Sequence, residues 1–418
     1  MNTRPHLHYH TDCDFFAGCE NMIANLLNDD RIHRNFEVSF SYRKSERYEA
    51  GFKNRVSTGV GGESYPILAG NVLSQLAVNM PRPVQIAIRG LNYLLLLRYW
   101  ILAWNVLVLY RAWRHRGIDL LHINNGGYPG AISCQSAAIA ASLAGIGRVV
   151  MVVNNIATPN RYWFAWIDLL LNRLVARSVA VFVTGSRFAG QALQVALHIP
   201  SKKLVCLHNG IKPRSTVETR AETRGRLGVA EGGMVFGIVA LLERRKGHRV
   251  LLDAMAILRQ SVDAERMPVL LIEGEGPERF NLERAVEELA LEPWVRFVGN
   301  ERNIFDFMQA LDVILLPSIA NEDFPNVVLE AMSLGKPVIA SRIAGTPEQI
   351  EDGVTGWLVE PGDSSALALK METFIGNDGR IGAMGAQAHA QFEVKFTADV
   401  AVSRYLDLYQ VLLNRSEN

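Results

Sequence analysis

The chain has 418 residues, of which 49% are apolar and 20% are charged. This length suffices for two or three domains with cores of their own, and the composition excludes disordered, collagen-like and coiled-coil proteins. The net charge of +1 is unevenly divided: residues 1–216 carry 23 basic and 11 acidic side chains, whereas residues 217–418 carry 20 and 31. The basic half favours an anionic partner such as a membrane surface or an acidic glycan, although a basic domain packed on an acidic one would give the same division.

Nucleic acid and metal ions are not expected partners. The basic residues form no recognised nucleic-acid-binding motif. The four cysteines match no zinc spacing and are too few for a disulfide scaffold, which favours reduced thiols. The first residues of the chain lack the apolar core of a signal peptide. We therefore expect a cytoplasmic protein.

Short apolar runs alternate with helical stretches, as in α/β domains with parallel sheets. In the first half, we predict strands at Leu7–Tyr9, Glu37–Tyr42, Leu120–Ile123, Val149–Val153, Val179–Thr184 and Lys203–Leu207. The helices predicted there are Glu20–Leu27, Leu91–Arg116, Ala131–Ala144 and Tyr162–Arg177.

The segment Leu91–Tyr110 is apolar and long enough to cross a bilayer. Arg98 lies inside it, which is costly at mid-bilayer, and the strands on either side are expected in one sheet. A spanning helix is therefore disfavoured. A buried helix and a helix lying in the membrane interface both remain open. The second would place the protein peripherally on the inner face of the cell membrane.

The polar, glycine-containing stretch 212–233 predicts a domain boundary, which gives domains of residues 1–212 and 213–397. The second half repeats the alternation. Its predicted strands are Val235–Ala240, Val269–Glu273, Val295–Val298, Val313–Pro317, Pro337–Ser341 and Trp357–Val359, and its predicted helices are Gly247–Gln260, Pro277–Leu289, Ile304–Ala310 and Pro325–Leu334. The amphipathic helix Ala398–Asn414 either closes the second domain or crosses back to the first.

The strongest chemical signal lies after the strand that ends at Pro317. Pro325 suits the first turn of a helix, and the first amides of such a helix, at Asn326, Val327 and Val328, would be free to bind an anion. Glu322 precedes this helix and Glu330 lies within it. Two carboxylates flanking a phosphate suit a nucleotide sugar, because carboxylates accept hydrogen bonds from hydroxyl groups. The spacing alone is equally typical of two solvated glutamates.

Two further loops follow predicted strands. The basic run Glu243–His248 can neutralise a diphosphate at the carboxyl end of a strand, although a basic loop is also typical of a solvated surface. Gly274 and Gly276 would allow a ligand to approach the backbone closely, but they match no dinucleotide fingerprint and equally indicate a plain turn.

The runs IVALLERRKGH, LLIEGEGPE, WVRFVGN and ALDVILLPSIANEDFPNVVLEAMSLGKPVIASRIAGTPEQI together resemble glycosyltransferase family 4, over about residues 205–415. In the first half the resemblance is looser and rests on Gly18-Cys19-Glu20, Leu121-His122 and His208-Asn209-Gly210-Ile211. It implies the GT-B fold, in which two Rossmann-like, doubly wound domains face each other across a cleft. It also implies a retaining reaction that uses a nucleotide sugar and no metal.

The resemblance implies that Glu322 holds the donor sugar, Glu330 the ribose and Lys246 the diphosphate. The backbone amides of Phe324, Asn326 and Val327 would assist Lys246.

It implies contacts from the first domain as well, with Gly18 at the phosphate or acceptor and His122 at the donor sugar. A capping or packing role is the alternative for His122. We group His122 with Glu322 and Lys246 as catalytic. The remaining expected donor contacts are Arg245, Gly274 and Val298, the last near the base.

The chain departs from the family pattern at two positions. Leu241 stands where an arginine is common, so Arg245 or Arg244 would substitute for it. Asp323 stands where a glycine usually follows the first glutamate, which adds negative charge beside the sugar.

We therefore expect a retaining enzyme that moves a hexose-type sugar from a UDP- or GDP-sugar to a glycan or lipid-linked acceptor, in cell-surface polysaccharide or lipopolysaccharide biosynthesis. The residues show no protein nucleophile, which favours attack on the face that the diphosphate leaves. Two alternatives stay open: a nucleotide-sugar epimerase of the same fold, and a non-catalytic scaffold in a glycan assembly complex.

Overall fold

The structure, a computed structural model, describes residues 4–13, 16, 18, 20–70, 80–94, 96–129, 131–158 and 165–414. The chain forms two compact units. One comprises Met1–His208 with Ala401–Asn418, and the other comprises Asn209–Val400. The unit boundary therefore falls just before the polar stretch 212–233. That stretch holds the helix Arg220–Arg226, which begins with a capping box of Thr219 and Glu222.

The described residues of the first unit form one parallel sheet, in the order β3-β2-β1-β4-β5-β6-β7. Its strands are β1 (His6–Thr11), β2 (Glu37–Arg43), β3 (Gly62–Tyr65), β4 (Leu120–Asn125), β5 (Val149–Val153), β6 (Val181–Thr184) and β7 (Leu204–Cys206). The interior strand β5 is entirely apolar and buried, because helices cover both faces of a doubly wound sheet.

The sequence misses three helices of the first unit, Asp30–Asn35, Glu46–Arg55 and Arg187–Leu197, and predicts the others at least in part. The described helices of this unit are Glu20–Asn28, Asp30–Asn35, Glu46–Arg55, Arg82–Leu94, Leu97–Trp113, Ile132–Leu143, Ala165–Ser178, Arg187–Leu197 and Ala398–Asn414. The last of these packs Tyr405, Tyr409 and Leu412 into the same core as Leu7 and Tyr9. Of the two alternatives for this helix, the structure therefore selects the return to the first unit.

The prediction of one helix over Leu91–Arg116 is wrong. Leu96 has a left-handed backbone with φ 51°, and it separates the helices Arg82–Leu94 and Leu97–Trp113. Within the part of the chain that the structure describes, every helix is too short or too polar to cross a membrane. Residues 162–164 of the predicted helix Tyr162–Arg177 lie outside the described residues.

The described residues of the second unit form a parallel sheet in the order β10-β9-β8-β11-β12-β13. Its strands are β8 (Val235–Val239), β9 (Val269–Glu273), β10 (Val295–Gly299), β11 (Val313–Leu316), β12 (Val338–Ser341) and β13 (Gly356–Val359). The order reverses between β8 and β11, so their carboxyl ends flank the switch point where doubly wound sheets bind ligands.

Helices cover both faces of this second sheet. They are Arg220–Arg226, His248–Ser261, Arg279–Glu288, Ile304–Ala310, Asn326–Ser333, Thr346–Gln349, Ser364–Glu372 and Asp378–Lys395. Two apolar clusters of buried residues fill the space between the sheet and its helices.

Candidate functional site

The loops that follow β8 and β11 meet at the switch point of the second sheet. The amide of Ile319 donates a hydrogen bond to the carbonyl of Arg245 at 2.8 Å. Gly247 has φ +74°, and a Cβ at this position would lie 1.8 Å from the carbonyl oxygen of Pro317. Only glycine fits here, because it tolerates both the left-handed backbone and this close approach.

This contact brings together two of the predicted site residues. Lys246 ends a short 3-10 turn, Arg244–Lys246, and its ammonium group donates to Oε2 of Glu322. The hydroxyl of Ser318 donates to the same oxygen at 2.9 Å. Because both charged side chains are mostly buried, the attraction between them is weakly screened by solvent. The geometry therefore gives one carboxylate and one ammonium group fixed positions at the switch point.

Arg245 lies beside this pair. Its Nε donates to Oε2 of Glu243 at 2.6 Å, and its Nη1 donates to the carbonyl of Asn321 at 3.3 Å. Leu241, where the family often has an arginine, is 56% exposed. The guanidinium of Arg245 is thus a second positive charge on the same pair of loops.

The glycines after β9 serve loop packing. Gly274 has φ +124°, and a Cβ here would lie 2.1 Å from the carbonyl oxygen of Ala240. A Cβ at Gly276 would lie 2.6 Å from the carbonyl oxygen of Leu242. These glycines let the loops after β8 and β9 lie against each other, and the donor contact of Gly274 stays a prediction.

The helix expected after Glu322 begins at Asn326, with Pro325 as its N-cap. The prediction that the amide of Val328 is free is wrong, because it donates to the carbonyl of Pro325 at 3.2 Å. The amides of Asn326 and Val327 lie in the first turn, as the anion-site prediction requires. The side chain of Phe324 packs against Phe396, with ring centroids 5.8 Å apart, so its side chain belongs to the core.

Glu330 is half-buried one turn into this helix. Burial raises the pKa of its carboxyl group, and the charge of Arg214 partly offsets that rise. Burial also raises the pKa of Glu273 at the end of β9. A hydrogen bond from the amide of Glu301 partly offsets that rise, and the charges of Glu301 and Glu330 add to it. Two carboxyl groups that repel each other near the switch point would gain from the hydroxyl groups of a ligand. Val298, the residue expected near the base, lies on β10 and is half-buried.

In the first unit, Gly18 is exposed and precedes the helix Glu20–Asn28. The resemblance implies a role for Gly18, whereas the structure shows many contacts for Glu20. This buried carboxylate accepts hydrogen bonds from Thr11, Tyr48 and Asn124 at 2.8, 2.6 and 2.8 Å. Its side chain thus links β1, β4 and the helices Glu20–Asn28 and Glu46–Arg55.

The placement of His122 contradicts its assignment as a donor-sugar contact. β4 continues to Asn125, so His122 lies within the strand and only 1% of it is exposed. Its Nδ1 shares a hydrogen bond of 2.6 Å with the hydroxyl of Tyr409, and its ring lies 5.0 Å from that of Tyr9. His122 is a core residue beneath the helix Ala398–Asn414, and burial lowers its pKa to about 3.

This burial predicts an acid-sensitive contribution to stability. His122 stays neutral in the fold, whereas in the unfolded chain it binds a proton below its ordinary pKa of 6.5. The stabilisation is therefore fully present above pH 6.5 and declines towards pH 3. Between pH 7 and pH 5, the free energy of unfolding should fall by about 2 kcal/mol less in His122→Asn than in the wild type. Urea titration at the two pH values measures this difference. His115→Asn, at an exposed site, is the matched control, and equal losses in all three proteins would contradict the prediction.

The sequence did not single out three residues of this site: Ser318, Arg214 and Glu273. Ser318 directly follows β11, so its position at a carboxyl strand end was the available signal. Arg214 lies in the polar stretch taken as a boundary. Glu273 was assigned to a strand without a role.

Two doubly wound, parallel-sheet domains in one chain are the architecture of the GT-B fold. The HepE protein of Anabaena, crystallised with UDP, shares this fold with a TM-score of 0.74 and 20% identity, over 97% of this chain and 100% of that one. The sequence-based prediction of two Rossmann-like domains is thereby confirmed.

Two family models match consecutive parts of the chain. The model described as glycosyl transferases group 1 matches residues 219–391, and the model described as Glycosyltransferase Family 4 matches residues 68–215. The chain therefore belongs to the family-4 type of glycosyltransferases, as its motifs indicated.

Curated relatives match over a shorter stretch. The N-acetyl-alpha-D-glucosaminyl L-malate synthase of Bacillus anthracis is 29% identical over 220 residues, which is 52% of this chain and 56% of that protein. The amylovoran biosynthesis glycosyltransferase AmsK of Erwinia amylovora is 27% identical over 226 residues, or 52% and 53%. The chain thus spans about half the length of these curated relatives.

Proposed function

We propose that this protein transfers a hexose-type sugar from a nucleoside diphosphate sugar to a hydroxyl group, with retention at the anomeric carbon. The observation that carries the proposal is the pairing of Lys246 with Glu322 at the switch point of the second sheet, in a chain of this family. Uridine is the first base to test, because the HepE protein of similar fold was crystallised with UDP. GDP-sugars are the second choice.

In the proposed reaction, the bond between the anomeric carbon and the diphosphate breaks and negative charge builds on the leaving diphosphate. Lys246, Arg245 and the amides of Asn326 and Val327 would stabilise that charge. Glu322, held by Ser318 and Lys246, would accept hydrogen bonds from the sugar hydroxyls, and Glu330 would accept those of the ribose. The acceptor oxygen would attack the face that the diphosphate leaves, and its proton would pass to a phosphate oxygen. No metal takes part in this scheme.

For the acceptor we propose a glycan or a lipid-linked sugar of a cell-surface polysaccharide or lipopolysaccharide. The similarity to AmsK, named for the synthesis of amylovoran, supports this choice. The excess of basic residues in the first half supports a peripheral position on the inner face of the cell membrane, where a lipid-linked acceptor would lie.

The first test is nucleotide binding by thermal shift with UDP, GDP, ADP and their sugars. A ligand at 100 times its dissociation constant should stabilise the second unit by about 2.7 kcal/mol, or roughly 5–10 °C for a unit of this size. We expect Glu330→Ala to lose most of that shift, since Glu330 supplies the ribose contact. Glu287→Ala is the matched control, because Glu287 is an exposed glutamate on the helix Arg279–Glu288.

The outcomes separate the alternatives. A shift with one nucleotide that Glu330→Ala abolishes and Glu287→Ala retains supports the proposed donor site. A full shift in Glu330→Ala would remove that residue from the site. Binding without turnover on any acceptor favours a scaffold, and conversion of the donor sugar without an acceptor favours an epimerase.

A further inference from the structure

Helix Leu97–Trp113 exposes an apolar side to solvent. Trp100, Trp104 and Leu107 lie four and three residues apart, which places them on one face of the helix. Trp100 is 72% exposed, Trp104 49% and Leu107 40%. The opposite side of this helix is buried in the core of the first unit. A surface helix normally turns a polar face outward, so this arrangement needs a partner.

Helix Ala165–Ser178 also exposes apolar side chains to solvent. It buries Leu171 and Val175 in the core, and it exposes Trp166, Leu170 and Leu174 at spacings of four residues. Trp166 is 62% exposed and Leu174 is 51% exposed. Two separate helices of one unit therefore both carry tryptophan and leucine on their solvent side.

The two helices are neighbours. Both contact the helix Ile132–Leu143, and near their N-terminal ends the hydroxyl of Tyr99 donates to Oδ1 of Asp168 at 3.0 Å. The N-terminal ends of the two helices therefore lie side by side, and Trp100 and Trp166 stand close in sequence to this contact. We name the exposed apolar residues of the two helices the tryptophan face and define it as Trp100, Trp104, Leu107, Trp166, Leu170 and Leu174. An apolar region of several large side chains on a protein surface marks an interaction site.

The charge around the tryptophan face identifies its partner. Arg111, Arg173 and Arg177 are exposed on the same sides of the two helices. The one acidic residue in either helix, Asp168, is buried beside Arg98 and Tyr99. Over residues 64–217, the sequence has 15 basic and two acidic residues. A partner must therefore combine an apolar region that the tryptophan and leucine side chains can enter with negative charge.

We propose that the tryptophan face binds an anionic lipid surface. Tryptophan rings favour the boundary between headgroups and acyl chains, and arginine stems lie along apolar surface while their guanidinium groups reach lipid phosphates. A second copy of this chain fits less well, because a two-fold contact would set the arginines of one copy against those of the other. The proposal deepens the proposed function, on which it rests for a lipid-borne acceptor.

Vesicle flotation tests the proposal directly. We expect the full chain to bind vesicles of phosphatidylcholine with 30% phosphatidylglycerol in 50 mM NaCl, to bind phosphatidylcholine alone weakly, and to release in 500 mM NaCl, where the Debye length is short. Lipids with brominated acyl chains should quench the tryptophan fluorescence of the wild type, which reports insertion without any substitution.

Paired variants locate the contact. Trp100→Ser with Trp166→Ser should weaken vesicle binding roughly tenfold or more, from the loss of apolar insertion. Its control is Phe280→Ser, since Phe280 is 72% exposed in the second unit. Arg177→Ser should weaken binding about fivefold, whereas Lys202→Ser, an equal change of charge at another exposed site of the first unit, should have a smaller effect. Circular dichroism and thermal unfolding confirm that each variant is folded.

Three results would overturn the proposal. The first is no binding to the anionic vesicles at low salt, and the second is unchanged binding by the folded tryptophan variant. The third is a dimer that does not bind vesicles and that dissociates when the tryptophans are substituted. The nucleotide thermal shift, measured on the same samples, separates the two hypotheses. Vesicle binding without any nucleotide shift contradicts the proposed function and leaves the tryptophan face intact. A nucleotide shift without vesicle binding supports the proposed function and contradicts the lipid-binding role of the tryptophan face.

Discussion

Replacing Lys246 with alanine is expected to lower the rate of sugar transfer by about 100- to 1,000-fold, the usual cost of removing one group that stabilises charge developing in a transition state. Lys246 is held at the end of β8 by its contact with Glu322 and by the loop contact at Gly247. In the proposed reaction its charge faces a diphosphate that becomes more negative as the sugar leaves. The loss should therefore fall on kcat as well as on kcat/KM, both obtained from initial rates with varied donor.

Two variants make this result specific. Arg249→Ala removes an exposed cation on the next helix, where it pairs with Asp253, and should leave the rate within about twofold of the wild type. Lys246→Arg keeps the charge but not the ammonium geometry and should recover part of the rate. A rate for Lys246→Ala within tenfold of the wild type would show that the leaving diphosphate is stabilised elsewhere.

The sequence predicts interior strands of both sheets well because they are buried on both faces. Val149–Val153 is a continuous apolar run, Val269–Glu273 is apolar up to its final glutamate, and both predictions match the structure. The edge strand Gly62–Tyr65 was missed, since its sequence GESY has no such run. Apolar continuity marks a strand only where the sheet is covered on both sides.

The helix Asp378–Lys395 was missed for a different reason. Its glycines lower helix propensity, yet packing overrides that preference. A Cβ at Gly385 would lie 2.0 Å from the carbonyl oxygen of Gly335, so this glycine lets the helix approach the chain after Asn326–Ser333. The helix is then fixed by burial of Met384, Ala388 and Phe392, a contact between distant segments that local sequence does not reveal.

The candidate site was partly predictable. Motif order placed Lys246 and Glu322 after two strands, and the strand order of a doubly wound sheet makes those strands neighbours. The direct contact of the two side chains depends on the close approach at Gly247, which no spacing encodes. His122 was misassigned because both faces of β4 are covered, so the sequence does not tell which face of the sheet its ring occupies.

Arg224→Met is expected to destabilise the second unit by about 3–5 kcal/mol. Arg224 is 2% exposed, and its guanidinium donates to the carbonyls of Ala310 and Gly233, each at 2.9 Å, and to Oδ2 of Asp312 at 2.9 Å. Methionine fills a similar volume but leaves the Asp312 carboxylate with less compensation and the carbonyls without this donor. Urea unfolding followed by circular dichroism measures the loss.

Arg226 provides a control on the same short helix. It is 41% exposed and pairs with Glu218 and Glu301, so Arg226→Met should cost at most about 1 kcal/mol, as for exposed ion pairs. Equal losses in the two variants would contradict the view that burial sets the size of the effect.

The amide of Asp312 donates to the carbonyl of Val235, so Arg224 secures the amino ends of β8 and β11. Lys246 and Glu322 follow the opposite ends of these strands. Arg224→Met should therefore reduce the folded fraction while the remaining folded protein binds the nucleotide with unchanged affinity. A thermal shift of wild-type size from a lower starting temperature is the expected result.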